Sequence, residues 1–405
     1  PDSKAVCLVR SSPTDEAKKE NEKLVQALGK LSKRYEMKGD QFRARGYNLA
    51  KIGIQQYPFK IESGEQARQE ISNVGPSIAK KIQTILENGS LPGLLEAFDL
   101  EKNLEYFVKC YNVGMYRAKN WDALQLKTFA EACDRFANFF VTDWPILFGW
   151  SYYEDWLMPI SREECKRISI IVRKEAQLLD PELRVETLGS YCRGFEQCGD
   201  VDLLFYKPNC NDCTQIGGAM ENVSIALYAK GYVQCFLQLT ARIDELFRER
   251  IIEQLKKCHI KISQNAQFHD RSENLRKFLL GFKLVDEEKC HIERQNFRLT
   301  PKLNSKDQFM SLSSEENPCR RVDLFCCKYS ELGSARLHWT GPKEFNRWLR
   351  LKAINKGLKL TQHGLFDSSN ILLESFSERR IFELLDEEYI APIERNNVVK
   401  KRQKL

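Results

Sequence analysis

Asp200 and Asp202 stand one residue apart in the segment GSYCRGFEQCGDVDLLF, residues 189–205. On a strand, alternate residues share a face, so the two carboxylates would project together while Val201 and Leu203 enter a core. Carboxylates this close repel each other unless a divalent cation lies between them. Upstream, Gly189 and Ser190 suit a tight turn entering a helix. Such a turn would set backbone N–H groups, the Ser190 hydroxyl and the Arg193 guanidinium where a triphosphate could lie. Hard cations, acidic oxygens and a cradle for a leaving pyrophosphate are what phosphoryl transfer requires. A third carboxylate is then expected on a neighbouring strand, and Arg320-Arg321-Val322-Asp323-Leu324-Phe325 supplies it. Two Mg²⁺ ions, replaceable by Mn²⁺, would sit among these acids. One would activate an attacking hydroxyl and the other would hold the triphosphate, with Asp323 serving the first only.

A lone Asp-x-Asp is common on exposed strands. A Gly-Ser turn, an Arg-Gly and an Asp-x-Asp in this order instead signal a nucleotidyltransferase fold. The acids need a sheet, and strand-like runs occur at Val185 to Leu188, Val201 to Tyr206 and Val322 to Cys327, with a long helix after Arg162. The fold class expected is α+β. Residues 1–18 are polar and read as disordered, 19–100 as a compact helical domain, 101–160 as a second helical domain, 161–332 as the catalytic domain and 333–405 as a small α+β domain. Residues 241–288 read as a charged helical insertion, with Ile243, Leu246, Phe247 and Ile251 on one face that could dock a protein partner. Asn73-Val74-Gly75 and Asn112-Val113-Gly114 each open a helix in the manner of a helix-hairpin-helix turn. Such a turn offers N–H groups to a DNA phosphate, with a monovalent cation as a further candidate ligand there.

Composition limits the alternatives. The chain has 405 residues, 42% hydrophobic and 29% charged, and a net charge of +7. No stretch approaches the roughly 18–20 apolar residues of a membrane span. Six Lys or Arg lie between positions 30 and 45, and five basic residues with no acid follow from Arg395, which suits contact with phosphates. Fourteen cysteines scattered through a large chain read as reduced thiols. Cys210 and Cys213 have metal-type spacing, but no second pair completes a tetrahedral zinc set.

These motifs together resemble the family X DNA polymerases of the β and λ types. The likeness runs from about residue 21 and includes YEMKGDQFRARGY at 35–47, NVGPSIAKKI at 73–82, RRVDLF at 320–325, WTGPKEFNRWLR at 339–350 and SERRIFELLDEEYIAPIER at 377–395. The resemblance implies a lyase-type domain, a helix-hairpin-helix domain, a palm with a mixed sheet and a C-terminal domain closing on the nascent base pair. It implies gap filling on nicked or gapped DNA with a 5′-phosphate, dNTP as substrate, a monomer, and base excision repair as the setting. Ser190, Arg193 and Gly199 would contact the triphosphate, Trp339, Thr340 and Gly341 would line the sugar, and Asn346 with Arg350 would face the new pair and template. The alternatives are a template-independent terminal transferase and a non-catalytic DNA-binding scaffold.

Several positions depart from the family pattern. His338-Trp339 replaces Tyr-Phe before Thr-Gly, so weaker exclusion of ribonucleotides is expected. Pro342-Lys343 changes the charge near the incoming base, and Asn112 replaces the first Gly of the second hairpin. Asp202 and Asp323 stand about 120 residues apart, roughly twice the β-type separation, which motivates the insertion. On a helical wheel over Ser77 to Glu87, Lys80 points away from the apolar arc of Ile78, Ala79, Ile82, Ile85 and Leu86, whereas Lys81 borders it. Lys81 is thus the lysine placed for partial desolvation, a candidate Schiff-base nucleophile toward the aldehyde of a 5′-deoxyribose phosphate, with 5′-phosphate binding alone as the alternative, and the resemblance puts the lyase nucleophile at the same position. Ser77 stands where the β-type relative has a further lysine. A DNA-containing compartment follows, with the tail KKRQKL a candidate nuclear signal. The start at Pro1 is what a removed presequence would leave, which favours the mitochondrion.

Overall fold

The computed structural model describes residues 14–37, 40–91, 98–262, 266, 268, 276–284 and 317–396. It divides into two compact units. One comprises the chain up to Val108 together with Gly114–Leu124, and the other Lys109–Val113 and the chain from Gln125. The division expected at residues 100, 160 and 332 is finer than this.

The first unit is helical: α1 (Asp15–Met37), α2 (Gln41–Gln55), α3 (Gly64–Glu70), α4 (Pro76–Asn88), α5 (Phe98–Val108) and α6 (Met115–Ala123). Leu24, Leu28 and Leu31 of α1, Tyr47, Ala50 and Ile54 of α2, and Ala79, Ile82 and Ile85 of α4 share one core, as their three- and four-residue spacing dictates. Gly64 lets α3 approach α4 closely, since a Cβ there would lie 2.1 Å from the Ala79 carbonyl oxygen. Asn73 and Asn112 both take the left-handed conformation, at φ 67° and 64°, ahead of Gly75 and Gly114, which cap α4 and α6. The departure at Asn112 therefore keeps the turn, because Asn tolerates this region better than other non-glycine residues.

The second unit begins with α7 (Phe129–Arg135), α8 (Ala137–Thr142), α9 (Pro145–Ser151) and α10 (Tyr153–Leu157). It continues through β1 (Ile160–Ser161), α11 (Arg162–Leu179), β2 (Arg184–Thr187), α12 (Gly189–Cys192), β3 (Gln197–Cys198), β4 (Val201–Tyr206), α13 (Cys213–Ala229), β5 (Val233–Phe236), α14 (Ala241–Lys257), β6 (Lys277–Phe282) and β7 (Arg320–Cys326). Last come α15 (Leu332–Thr340), α16 (Lys343–Asn355), β8 (Lys359–Thr361), β9 (Gly364–Phe366), β10 (Leu372–Glu374) and α17 (Glu378–Leu384). The main sheet has the order β2-β4-β7-β6-β5, parallel only between β4 and β7, with α11 and α13 packed against it. The α+β class and its mixed sheet are as expected. Among the described residues no helix is long and apolar enough to cross a membrane.

One expectation is corrected. Residues 241–288 are not a separable insertion over their described part, because β6 pairs with both β5 and β7 inside the sheet. Ile243, Phe247 and Ile251 of α14 are fully buried, so the face offered to a protein partner is used by this protein's own core, while Leu246 is exposed. The apolar stripe of α14 is legible in the sequence but not what it packs against, and the short apolar run KFLLGF does not by its pattern alone separate a buried strand from a helix segment. The segments 1–13 and 397–405, with most of the basic tail, lie outside the described residues.

Candidate active site

The parallel ladder between β4 and β7 places Asp202 directly opposite Asp323, flanked by the pairs Val201–Val322 and Leu203–Leu324. Those four apolar residues are buried, which fixes the register and turns both carboxylates to the opposite face. Asp200 lies just before β4 and accepts a hydrogen bond from the Arg321 guanidinium. Its neighbour Arg320 is buried and grips Glu164 of α11 through two bonds, Nε to Oε1 at 2.7 Å and Nη2 to Oε2 at 2.9 Å. Of two adjacent arginines, one therefore ties the sheet to a helix and the other orients a carboxylate.

The turn before α12 is shaped around Asp202. Gly189 sits at φ 60°, and a Cβ there would lie 1.9 Å from the Asp202 Oδ2, so the approach is open to glycine alone. The Leu188 N–H donates to the Asp202 carbonyl at 2.9 Å. Gly189, Ser190, Arg193, Asp200 and Asp202 then form one wall of a cleft of about 630 Å³, with His338, Trp339, Thr340, Gly341, Lys343, Asn346 and Arg350 on the other. Asp323 stands beside Asp202 at the register position above, and Gly199 adjoins Asp200. Lys81 belongs to the first unit, on α4.

Side-chain contacts define the second wall. Arg193 donates through Nη1 to the Thr340 carbonyl and through Nε to Asn396 Oδ1 at 3.0 Å. The His338 carbonyl accepts from Asn346 Nδ2 at 2.7 Å, and its Nδ1 lies 2.9 Å from Arg350 Nη2. Burial and the Arg350 charge bring His338 down to about 4, so the ring is neutral and accepts from Arg350. Trp339 stacks on Phe325 of β7, with ring centroids 3.6 Å apart and planes at 16°. Sequence reasoning missed Arg321 as a partner of Asp200, and it missed Arg347, Leu351 and Ile354, which also line the cleft. A wheel drawn over α16 would have found the last three, since 343, 346, 347, 350, 351 and 354 follow helical spacing.

Burial first, and neighbouring negative charge after it, disfavour the ionised forms of Asp202 and Asp323. Burial, followed by the charges of Asp200 and Asp323, holds Asp202 well above the usual carboxylate range. Burial likewise raises Asp323 to about 6, against the pull of Arg321. Asp202 and Asp323, side by side in the ladder and half-buried, with Asp200 two residues before Asp202, offer carboxylate oxygens of the kind that hard divalent cations take. A raised folded-state pKa means that the folded state binds the extra proton. Stability from these acids is thus present below about pH 4 and is lost as pH rises through about 6. In the presence of a chelator, thermal unfolding is expected to show a more stable protein near pH 5 than near pH 8. Asp323→Asn should remove part of that slope and stabilise the chelated protein at pH 8 by about 1–3 kcal/mol. A less stable Asp323→Asn protein at pH 8 would contradict the electrostatic account.

Comparison with known sequences matches three segments to described families: residues 19–91 to a helix-hairpin-helix domain, 159–329 to the DNA polymerase beta palm and 335–396 to the DNA polymerase beta thumb. The chain is 48% identical over 397 residues to DNA polymerase IV of Saccharomyces cerevisiae, covering 95% of this chain and 68% of that protein. It is 27% identical over 404 residues to DNA polymerase lambda of Rattus norvegicus, covering 97% of this chain and 59% of that protein. Identity to DNA nucleotidylexotransferase of Homo sapiens is 26% over 349 residues, covering 85% and 61% respectively.

Proposed function

This chain belongs to the family X DNA polymerases, and we propose that it fills short gaps in DNA by copying a template, one nucleotide at a time onto a primer 3′ end. The observation that carries this reading is the side-by-side placement of Asp202 and Asp323 next to a cleft walled by Ser190, Arg193 and α16. It is a nucleotidyltransferase, with DNA and dNTP as its substrates and a DNA-containing compartment as its place of work.

Asp200 and Asp202 would hold two divalent ions and Asp323 the one nearer the primer, with Mg²⁺ the expected ion and Mn²⁺ a substitute. When bound, these ions supply activation of the 3′ hydroxyl and neutralisation of charge on the triphosphate. The chain's own contribution is position. Arg321 keeps Asp200 turned toward the site, and the Gly189 turn leaves room for the Asp202 carboxylate. The Ser190 hydroxyl and the Arg193 guanidinium bind the triphosphate, so that pyrophosphate leaves from a fixed place as the 3′ oxygen bonds to the α-phosphorus. Asn346 and Arg350 project from one face of α16 into the cleft, where the new base pair and template would lie. Gapped DNA with a 5′-phosphate, a monomeric protein and repair of excised bases complete the proposal.

Primer extension tests it: a one-nucleotide gap against a single-stranded primer, with each dNTP supplied separately. Insertion of the matched nucleotide alone supports template copying. Untemplated tailing of the single strand selects the second reading, terminal transfer, which the likeness to the nucleotidylexotransferase favours. No extension of either substrate would leave a DNA-binding scaffold.

The sugar side of the cleft yields a further expectation. Trp339 is held flat on Phe325, and the His338 carbonyl is engaged by Asn346, so neither group is free to close on the 2′ position as a Tyr-Phe gate would. Kinetic preference for dNTP over rNTP is expected below about 10⁴, equivalent to about 5.5 kcal/mol. A steady-state ratio at or above that value overturns this account of the gate.

A further inference from the structure

The Cys210-x-x-Cys213 spacing has no part in the proposed reaction, yet the fold gives Cys213 a partner from a distant part of the chain. Cys213 opens α13, where the Asp212 carboxylate caps the helix by accepting from the Thr214 and Gln215 N–H groups at 2.8 and 3.2 Å. Its side chain is half-buried, whereas Cys326, the last residue of β7, is 5% exposed. Two bonds tie the loop before this helix to the turn after that strand. The Tyr329 N–H donates to the Cys210 carbonyl at 2.9 Å, and the Ser330 N–H donates to Asn211 Oδ1 at 2.9 Å. Inside this frame the Cys326 thiol hydrogen-bonds to the Cys213 sulfur. We infer that Cys213 and Cys326 form a reversible dithiol–disulfide site, oxidised by a hydroperoxide, that staples α13 to the strand carrying Asp323.

The surroundings divide the labour between the two sulfurs. The hydrogen bond from Cys326 lowers Cys213 below the ordinary thiol range; burial and Glu331 oppose this, and Arg276 and Lys328 assist it. The same bond, with burial, raises Cys326. Cys213 is therefore the nucleophile within reach of solvent and Cys326 the resolving thiol behind it. The neighbours compete poorly. Burial pushes Cys327 up to about 12, and the Cys210 thiol is engaged by Gln215 Oε1 at 3.2 Å.

In the first step the Cys213 thiolate attacks a peroxide oxygen, the O–O bond breaks, and the departing hydroxide takes up the proton that Cys213 gave up, leaving a sulfenic acid and water. In the second, the Cys326 sulfur attacks the sulfenic sulfur, the S–O bond breaks, and the hydroxyl leaves as water with the Cys326 proton. Two thiols thus lose two electrons to one peroxide, and an S–S bond forms.

The test uses the full chain, treated with hydrogen peroxide at neutral pH, quenched with an alkylating agent, digested and read by mass spectrometry. A peptide pair joined through Cys213 and Cys326 is expected, lost on reduction with dithiothreitol, absent in Cys213→Ser and retained in Cys210→Ser. Wild-type protein should also unfold a few degrees higher when oxidised than when reduced, with no such shift in Cys213→Ser. On the reduced protein, iodoacetamide should modify Cys213 at least about tenfold faster than Cys326. Oxidation of Cys213 without the cross-link, pairing of Cys213 with Cys210, or a Cys213 that reacts no faster than Cys326 would each overturn the assignment.

Discussion

Asp323→Ala is expected to reduce single-turnover nucleotide insertion by at least about a thousandfold, while affinity for gapped DNA changes by no more than about threefold. The asymmetry follows from position. Asp323 lies opposite Asp202 in the β4–β7 ladder, with its neighbours Val322 and Leu324 buried on the other face, so removing one carboxylate leaves the strand and its register in place. On the proposed reading, what is lost is an anionic oxygen that would act beside the primer hydroxyl, an interaction whose value is realised in the transition state. Burial, followed by the charges of Asp200 and Asp323, holds Asp202 far above the usual carboxylate range; the alanine removes the last of these, so the variant should fold at least as well as wild type. Rapid-quench insertion at saturating dNTP and Mg²⁺, with DNA binding measured on the same preparation, separates the two effects. Insertion within about tenfold of wild type would remove Asp323 from the proposed catalytic group.

The parts of this site that could be read from sequence are those where a short-range pattern fixes the geometry. The strand Val201–Tyr206 was expected at its observed bounds because Val201, Leu203 and Phe205 leave the alternate positions to polar groups at the Asp end. The helix after Arg162 and the two Asn-initiated hairpin turns are equally local features. Partners distant in sequence were not legible. Nothing in Arg320-Arg321 says that the first will bury itself against Glu164 and the second will reach Asp200. The role of β6 was hidden for a related reason. A six-residue apolar run becomes the strand between β5 and β7 only through pairings made far along the chain, and its charged surroundings suggested a helix instead. Trp339 carries both readings at once: the family resemblance placed it on the sugar, and the fold stacks its ring on Phe325 while leaving it in the cleft wall.

Borohydride trapping on an incised abasic site is expected to give a covalent protein–DNA adduct with wild-type protein and none with Lys81→Ala. The helix α4 that carries this lysine buries Ala79, Ile82 and Ile85, which leaves Lys80 exposed and Lys81 half-buried at the edge of the apolar face. The Lys81 ammonium lies 5.9 Å from the centre of the Tyr47 ring and donates to Ser77 Oγ at 3.3 Å. An aromatic face and one hydroxyl hold the amine in a single place without an acidic partner among these contacts, so it is not committed to an ion pair. For Schiff-base chemistry the amine attacks the C1′ aldehyde of the 5′-deoxyribose phosphate, water departs, and borohydride reduces the imine to a stable secondary amine. Arg43 is available to the 5′-phosphate from the neighbouring helix α2, where its pairing with Asp40 at 3.4 Å is exposed and weak. With Ser77 in place of a second lysine, a looser hold on the 5′-phosphate is expected, and with it a slow reaction that depends fully on Lys81. Thermal unfolding of Lys81→Ala, expected near wild type, guards against loss of the fold as the cause. Absence of any adduct with wild type would reduce this unit to 5′-phosphate binding, and an undiminished adduct with Lys81→Ala would move the nucleophile to another lysine.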